Sequence, residues 1–331
     1  MSEISRRHIL AGAAAASATA LTPLGAPTAK AAAPMAGTQA PGWYRYKVGS
    51  YEITAVTDGR STFKLPDTFV VNAKKDQVNE ALAAAYMEKD MMTIPYTPIV
   101  INTGSKLIVM DTGTGEANFD RSKGVGGQFH RNMKASGYDR NAVDLVIISH
   151  FHGDHINGLI TADKQPSFPN AEILVPAAEW KYFMDDGEMS RQTSDRMKGV
   201  FAGARNVFDA LKRKVTPYEA GKEIAPGITS VATHGHTPGH NSFVVASGNG
   251  KVYVQADVTN HPALFVRNPG WHAFFDQDPK MAEETRRKVY DMLVAEKMMV
   301  QGFHYPFPAV AYIEKSGAGY REIPVMWNAS L

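Results

Sequence analysis

Three histidines and an aspartate fall within one short stretch, His150-Phe151-His152-Gly153-Asp154-His155, directly after the apolar run Val143 to Ile148. The run reads as a buried strand. A strand end followed by a tight turn, with Gly153 supplying backbone freedom, can aim all four polar side chains into one small volume. Imidazole together with carboxylate suits zinc and the neighbouring first-row metals. A histidine-rich surface loop would account for one such residue, but poorly for His-x-His-x-Asp-His at the end of a β-run. Further candidates sit downstream at similar places: His236 after Ile228–Ala232, Asp257 after Val252–Ala256, and His304 after Met298–Phe303. Five histidines and two aspartates so placed are enough for two metals, with Asp257 a natural bridging carboxylate. Two metals are the expected machinery for displacement at an ester or phosphoryl centre.

The elements that must position these residues follow from periodicity and turn signals. Tyr51–Thr57 reads as a strand, and Ile99–Asn102 with Lys106–Asp111 as a hairpin turning at Thr103-Gly104-Ser105. Ser242–Ala246 and Lys251–Gln255 form a second hairpin across Gly248-Asn249-Gly250. Helices are predicted over Asn79–Met87, over Phe129–Ser136, and from an Asp278 cap with Pro279 in the first turn to about Lys297. Gly113–Gly127 is glycine-rich and irregular, a candidate mobile lid. Asp111 closes a strand near the site and is either an acceptor orienting a ligand histidine or a turn aspartate. His130, His261 and His272 have no partner pattern and read as structural. Loops at the ligand-bearing strand ends should line the pocket, which makes Phe151, Phe183, Phe265, Trp271 and Tyr305 the candidates for its aromatic wall.

In order and approximate spacing, His150-x-His152-x-Asp154-His155, His236, Asp257 and His304 resemble the ligand series of the metallo-β-lactamase superfamily. The resemblance runs from about Gly42 to about Val325. It implies an α/β (α+β) chain folded as a four-layer αββα sandwich, with the metals at one edge of two sheets. It puts His150, His152 and His236 on one metal and Asp154, His155 and His304 on the other, with Asp257 and a hydroxide bridging. It also selects His236 over its neighbours: His240 becomes a candidate supporting residue behind the site, and His234 reads as structural. A narrower resemblance is carried by Pro41-Gly42-Trp43-Tyr44-Arg45, Tyr51–Gly59, Asn102–Leu107, Phe168-Pro169-Asn170-Ala171, His234–His240 and Gly319–Val325. These segments look like the branch containing methyl parathion hydrolases and exported lactonase-like enzymes, and homodimers are part of what that branch implies.

The chemistry expected is hydrolysis of an ester, lactone or phosphotriester, with Asp154 and Asp257 as the catalytic carboxylates. Two divalent ions, zinc first and iron, manganese or cobalt as alternatives, would lower the pKa of a bridging water from ~15.7 to about 7. No Gly-x-Ser-x-Gly elbow is present to supply a serine nucleophile. A β-lactamase is the second reading, and Asp257 as bridging ligand counts against it. A mononuclear-iron sulfur dioxygenase or a metal-binding non-enzyme is the third, and would leave Asp154 and His155 idle.

Composition narrows the class further. The chain has 331 residues and no cysteine, so disulfides, thiolate ligands and a cysteine nucleophile are excluded. Ser5-Arg6-Arg7 ahead of an Ala-rich run to Leu21, then Ala29-Lys30-Ala31, reads as a twin-arginine signal peptide over residues 1–31. The apolar run is too short and too polar for a stable membrane anchor. The expected organisation is this leader, a linker over 32–42 and a hydrolase domain over 43–331, exported folded by the twin-arginine machinery to the periplasm or beyond. Loss of the leader takes the formal charge from +2 to zero. A neutral chain offers no electrostatic footprint for nucleic acid, which leaves a small-molecule substrate as the partner.

Overall fold

The computed structural model describes residues 33–331; the arginine-bearing leader lies outside the described residues. Ala33–Ala40 are exposed and carry neither strand nor helix, and Pro41–Leu331 form one compact unit. Its strands are β1 (Trp43–Val48), β2 (Tyr51–Val56), β3 (Gly59–Lys64), β4 (Met91–Tyr96), β5 (Ile99–Asn102), β6 (Leu107–Met110), β7 (Leu145–Ile147), β8 (Glu172–Pro176) and β9 (Thr216–Tyr218), followed by β10 (Glu223–Ala225), β11 (Ile228–Ala232), β12 (Asn241–Ser247), β13 (Gly250–Ala256), β14 (Met299–Gly302), β15 (Val310–Ser316) and β16 (Gly319–Pro324). One sheet runs β1-β2-β5-β6-β7-β8-β9, the other runs β10 to β16 in chain order, and β3 pairs with β4 apart from both.

Side chains alternate across each strand, and that alternation builds the layers. In β6 and β7, Ile108, Met110 and Ile147 point into the core between the sheets, while Val109 and Val146 point to the outer face. Phe243, Val245, Val252 and Val254 of the second sheet meet the first group. The outer face of the first sheet is covered by helices Phe129–Ala135, Ala177–Phe183 and Asp195–Leu211 through Met133, Phe183, Phe201 and Phe208. Helix Pro279–Glu296 covers the second sheet through Val289, Tyr290 and Leu293. The result is helix, sheet, sheet, helix: the four-layer arrangement expected. A satellite core joins the β3–β4 hairpin to helices Lys75–Ala84 and Pro262–Phe265.

The Asp278 carboxylate accepts from Met281 N at 3.0 Å with Pro279 next to it, so the longest helix begins where its capping residues place it. Helix Lys75–Ala84 instead starts four residues ahead of the predicted Asn79, because the Gln77 side chain accepts from Lys74 N at 3.0 Å and closes the first turn. The glycine-rich stretch Gly113–Gly127 is tied to the body of the fold near its start. It contains the short helix Ala117–Arg121 and is anchored to the buried Asp58, which accepts from Thr114 N and Phe129 N at 2.8 Å each. Its outer surface borders a separate hollow of about 710 Å³ that holds none of the candidate ligands.

Candidate metal centre

Every candidate ligand follows the C-terminal end of a strand: His150 to His155 after β7, His236 after β11, Asp257 after β13 and His304 after β14. Parallel pairing of β6 with β7 and of β13 with β14 puts these ends side by side at one edge of the two sheets. Crevices at carboxyl strand ends are the recurrent location of ligand sites in such sheets. Two residues turn the chain there through left-handed backbone, Asp111 (φ 56°) and Ala256 (φ 48°). Each costs of order 1 kcal/mol, a strain typical of residues next to functional groups. Gly153 corrects an expectation. Its backbone is ordinary one-turn helix (Gly153–Ile156), and what it supplies is space, since a Cβ there would stand 2.9 Å from the Asn157 side-chain amide.

The ligand atoms form three overlapping groups: His150 with His152 and His236, His150 with His155 and Asp257, and Asp154 with His155 and His304, each within 4.8 Å. In the first, His152 Nδ1 lies 3.1 Å from His150 Nε2 and 2.8 Å from His236 Nε2. In the third, Asp154 Oδ2 lies 3.6 Å from His155 Nε2 and 3.5 Å from His304 Nε2. Asp257 joins them, with Oδ1 3.3 Å from His155 Nε2 and Oδ2 3.3 Å from His236 Nε2 and 3.0 Å from His304 Nε2. The structure therefore brings all seven candidate residues together at this edge.

The far nitrogens fix the tautomers. His150 Nδ1–H donates to Ser149 Oγ at 3.0 Å, and the Ser149 hydroxyl in turn donates to Asp111 Oδ2. His155 Nδ1–H donates to Asp111 Oδ2, His236 Nδ1–H to Asp276 Oδ1 and His304 Nδ1–H to Pro95 O, each at 2.8 Å. Each of these four rings thus turns its Nε2 inward, the orientation metal-bound histidines adopt. His155 Nε2 and Asp257 Oδ1 are buried with no hydrogen-bond partner. His152 Nδ1 stands 2.8–3.1 Å from the inward nitrogens of both His150 and His236, and a single Nδ1 proton can serve only one of them well, whereas tetrahedral zinc takes all three at donor spacings of about 3.3 Å. The residues fit two first-row divalent ions.

Electrostatics agree. Burial holds His150 and His152 well below the ordinary imidazole range, leaving them neutral and able to ligate. For His155 burial acts the same way, but Asp257, Asp111 and Asp154 outweigh it and push the imidazole well above its usual value. His304 is raised likewise by Asp257 against its burial, while Asp257, despite burial, is held well below the carboxylate range by His304 and His155.

Asp111 accepts from Ser149 N and from His155 Nδ1–H while its own backbone makes the turn. His240 supports the site from behind: its Nε2 accepts from Asp257 N at 3.0 Å, and burial lowers it to about 3, so that acceptor stays free. His130 and His272 pair with Glu116 and Glu283 away from the site, and His261 Nδ1 accepts from Ala263 N. The aromatic wall is where the sequence misled. Phe151 and Phe183 pack with Phe208 in the core outside the first sheet, Phe265 is fully buried in the satellite core, and Tyr305 is buried with its hydroxyl 2.7 Å from that of Tyr290. Trp271 packs half-buried against the satellite core. Instead, the cavity over the ligands, about 240 Å³, is walled by Ile94, Tyr96, Arg196, Asn260 and Phe275. Phe151 lies between two ligands in sequence, but in the loop beyond β7 its ring turns into the core outside the first sheet. Asp276 and the buried Glu179 were also missed. A carboxylate two positions ahead of the Asp278 cap was the one sequence signal for Asp276.

The profile of the metallo-beta-lactamase superfamily matches residues 95–292, more than half of the chain. The N-acyl homoserine lactonase AiiA of Bacillus thuringiensis subsp. kurstaki is 22% identical over 239 residues, covering 67% of this chain and 84% of that protein. Among solved structures, the hydrolase AbOPH of the beta-lactamase superfamily superposes with a TM-score of 0.80 and 26% identity, over 88% of this chain and 100% of that one. The dizinc quorum-quenching lactonase AidC, in complex with a product, gives a TM-score of 0.79 and 22% identity over 87% and 98%. With the site at its strand ends and the matching profile, the chain belongs to the metallo-beta-lactamase superfamily.

Proposed function

We propose that this protein is a dinuclear metal-dependent hydrolase of lactones and related esters. The observation that carries the reading is the meeting of two ligand groups at Asp257, with the orienting hydrogen bond on each of four histidines already in place. His150, His152 and His236 would hold one ion, Asp154, His155 and His304 the other, and Asp257 both. Its all-nitrogen-and-oxygen donors suit zinc, and also accept iron, manganese or cobalt. When bound, two such ions supply Lewis acidity, bringing a water's pKa from ~15.7 toward 7 and polarising a substrate oxygen.

The protein's own groups do the rest. Asp257, anchored through its backbone N–H by His240, keeps the two ligand groups at a fixed separation. Asp154, a quarter exposed and lining the cavity, is placed to take a proton and hand it to the departing alkoxide. Tyr96, whose phenol burial keeps protonated, offers a hydroxyl donor from the cavity wall. Ile94 and Phe275 give that wall an apolar side against which an acyl or aryl group can lie, as such pockets require. The AiiA and AidC relatives, lactonases by name, support lactones as the first substrates to try. The segments that resemble the methyl parathion hydrolase branch support phosphotriesters as the second. Comparing kcat/KM of the leaderless protein for an N-acyl homoserine lactone and for methyl parathion decides between them. Turnover of neither would overturn the proposal. We further propose export by the twin-arginine route, tested by whether Arg6→Lys with Arg7→Lys leaves the protein in the cytoplasm.

A further inference from the structure

Glu179 is fully buried on helix Ala177–Phe183, and among the described residues it forms no ion pair. Its two carboxylate oxygens are divided between two separate segments. Oε2 accepts from Phe151 N at 3.0 Å, and Oε1 accepts from Gly239 N at 2.7 Å. Phe151 is the residue between His150 and His152, and Gly239 stands three residues after His236. The contact is built for close approach: a Cβ on Gly239 would lie 2.4 Å from Glu179 N and 2.8 Å from Ala178 C, so the loop meets the helix start backbone to backbone. Burying a carboxylate without a cation is costly, and two neutral N–H donors recover only part of it. Holding those donors needs two acceptors on one rigid head, which a carboxylate has and an amide lacks.

The second ligand group is anchored elsewhere. Asp111 orients His155, Thr112 N and Oγ1 donate to His155 O at 2.8 Å each, and Pro95 O receives His304. None of these contacts involves Glu179. We infer that Glu179 is a positioning residue for one metal only: it clasps the His150–His152 turn to the His236 loop and so sets the three imidazoles of that site. This rests on the two-metal reading above.

The test isolates each site in the full-length protein and follows metal affinity rather than turnover. In a His155→Ala background, which keeps the three-histidine site, adding Glu179→Gln should weaken zinc binding 10- to 100-fold in competition with a chromophoric chelator, the range typical of lost orienting contacts. In a His236→Ala background, which keeps the other group, the same change should leave zinc affinity within threefold. The thermal midpoint of the metal-free proteins serves as the folding control, and Glu179→Asp takes the place of Glu179→Gln should the latter not fold. Equal losses in both backgrounds would show a general structural role and overturn the inference, as would no loss in either. Wild-type protein that binds fewer than two zinc ions would overturn the two-metal reading itself and this inference with it.

Discussion

Replacing Asp276 by Asn changes one atom and isolates what an orienting carboxylate contributes. Asp276 Oδ1 accepts from His236 Nδ1–H at 2.8 Å, Oδ2 lies 3.4 Å from Arg286 Nη2, and both side chains are only 3% exposed. The amide has two orientations, and each leaves a defect. With its oxygen toward His236, its NH2 faces the guanidinium, donor against donor. With its oxygen toward Arg286, its NH2 faces Nδ1 and moves the His236 proton to Nε2, the atom needed by the metal. Exchanging a charge-assisted hydrogen bond for a neutral one loses about half its strength, on the order of 1–1.5 kcal/mol, which is roughly tenfold in affinity. Loss of orientation extends the expected range to about 100-fold. The cost to folding stays near 2 kcal/mol, below the 3–5 kcal/mol typical of a stranded buried charge, because Arg286 still donates to the carbonyls of Val258, Pro269 and Trp271. Chelator competition reads the affinity and urea unfolding of the metal-free protein reads the stability. Zinc affinity within twofold of wild type would refute the orienting role.

Three further outcomes follow from the geometry. His155→Ala should lose one metal equivalent and abolish hydrolysis; unchanged metal content and turnover would sink the two-metal assignment. Because the folded pKa values of His155 and His304 are raised, their contribution to metal-free stability is present below about pH 6.5 and lost as pH rises through the raised values. Zinc must displace those protons, so zinc titrations near pH 7 in buffers of different ionisation enthalpy should report proton release, and affinity should climb with pH; heats independent of buffer would contradict this. Phe275→Ala should raise KM for substrates with long acyl or aryl groups several-fold while metal content stays at wild type, whereas lost metal would place Phe275 in the site's scaffold rather than its wall.

The ligands are legible because each follows a strand whose own pattern is plain in sequence, with Asp257 and His304 directly beside runs of β-formers. The long helix was legible from Asp278 and Pro279, since capping is local chemistry. The cavity wall was not. Phe151 and Phe275 are equally aromatic, and which one faces the ligand cluster depends on how the loop after β7 turns in one case and on a long loop docking in the other. Asp276 and Glu179 act across 40 and 28 residues of sequence respectively, so only the folded chain brings them to their partners.

The most direct test of the account is metal stoichiometry measured together with activity. Purified protein stripped by a chelator should be inactive on an N-acyl homoserine lactone, and activity should return as zinc is added, reaching its plateau at two equivalents per chain. Full activity in the stripped protein, or a plateau at a single equivalent, would contradict it.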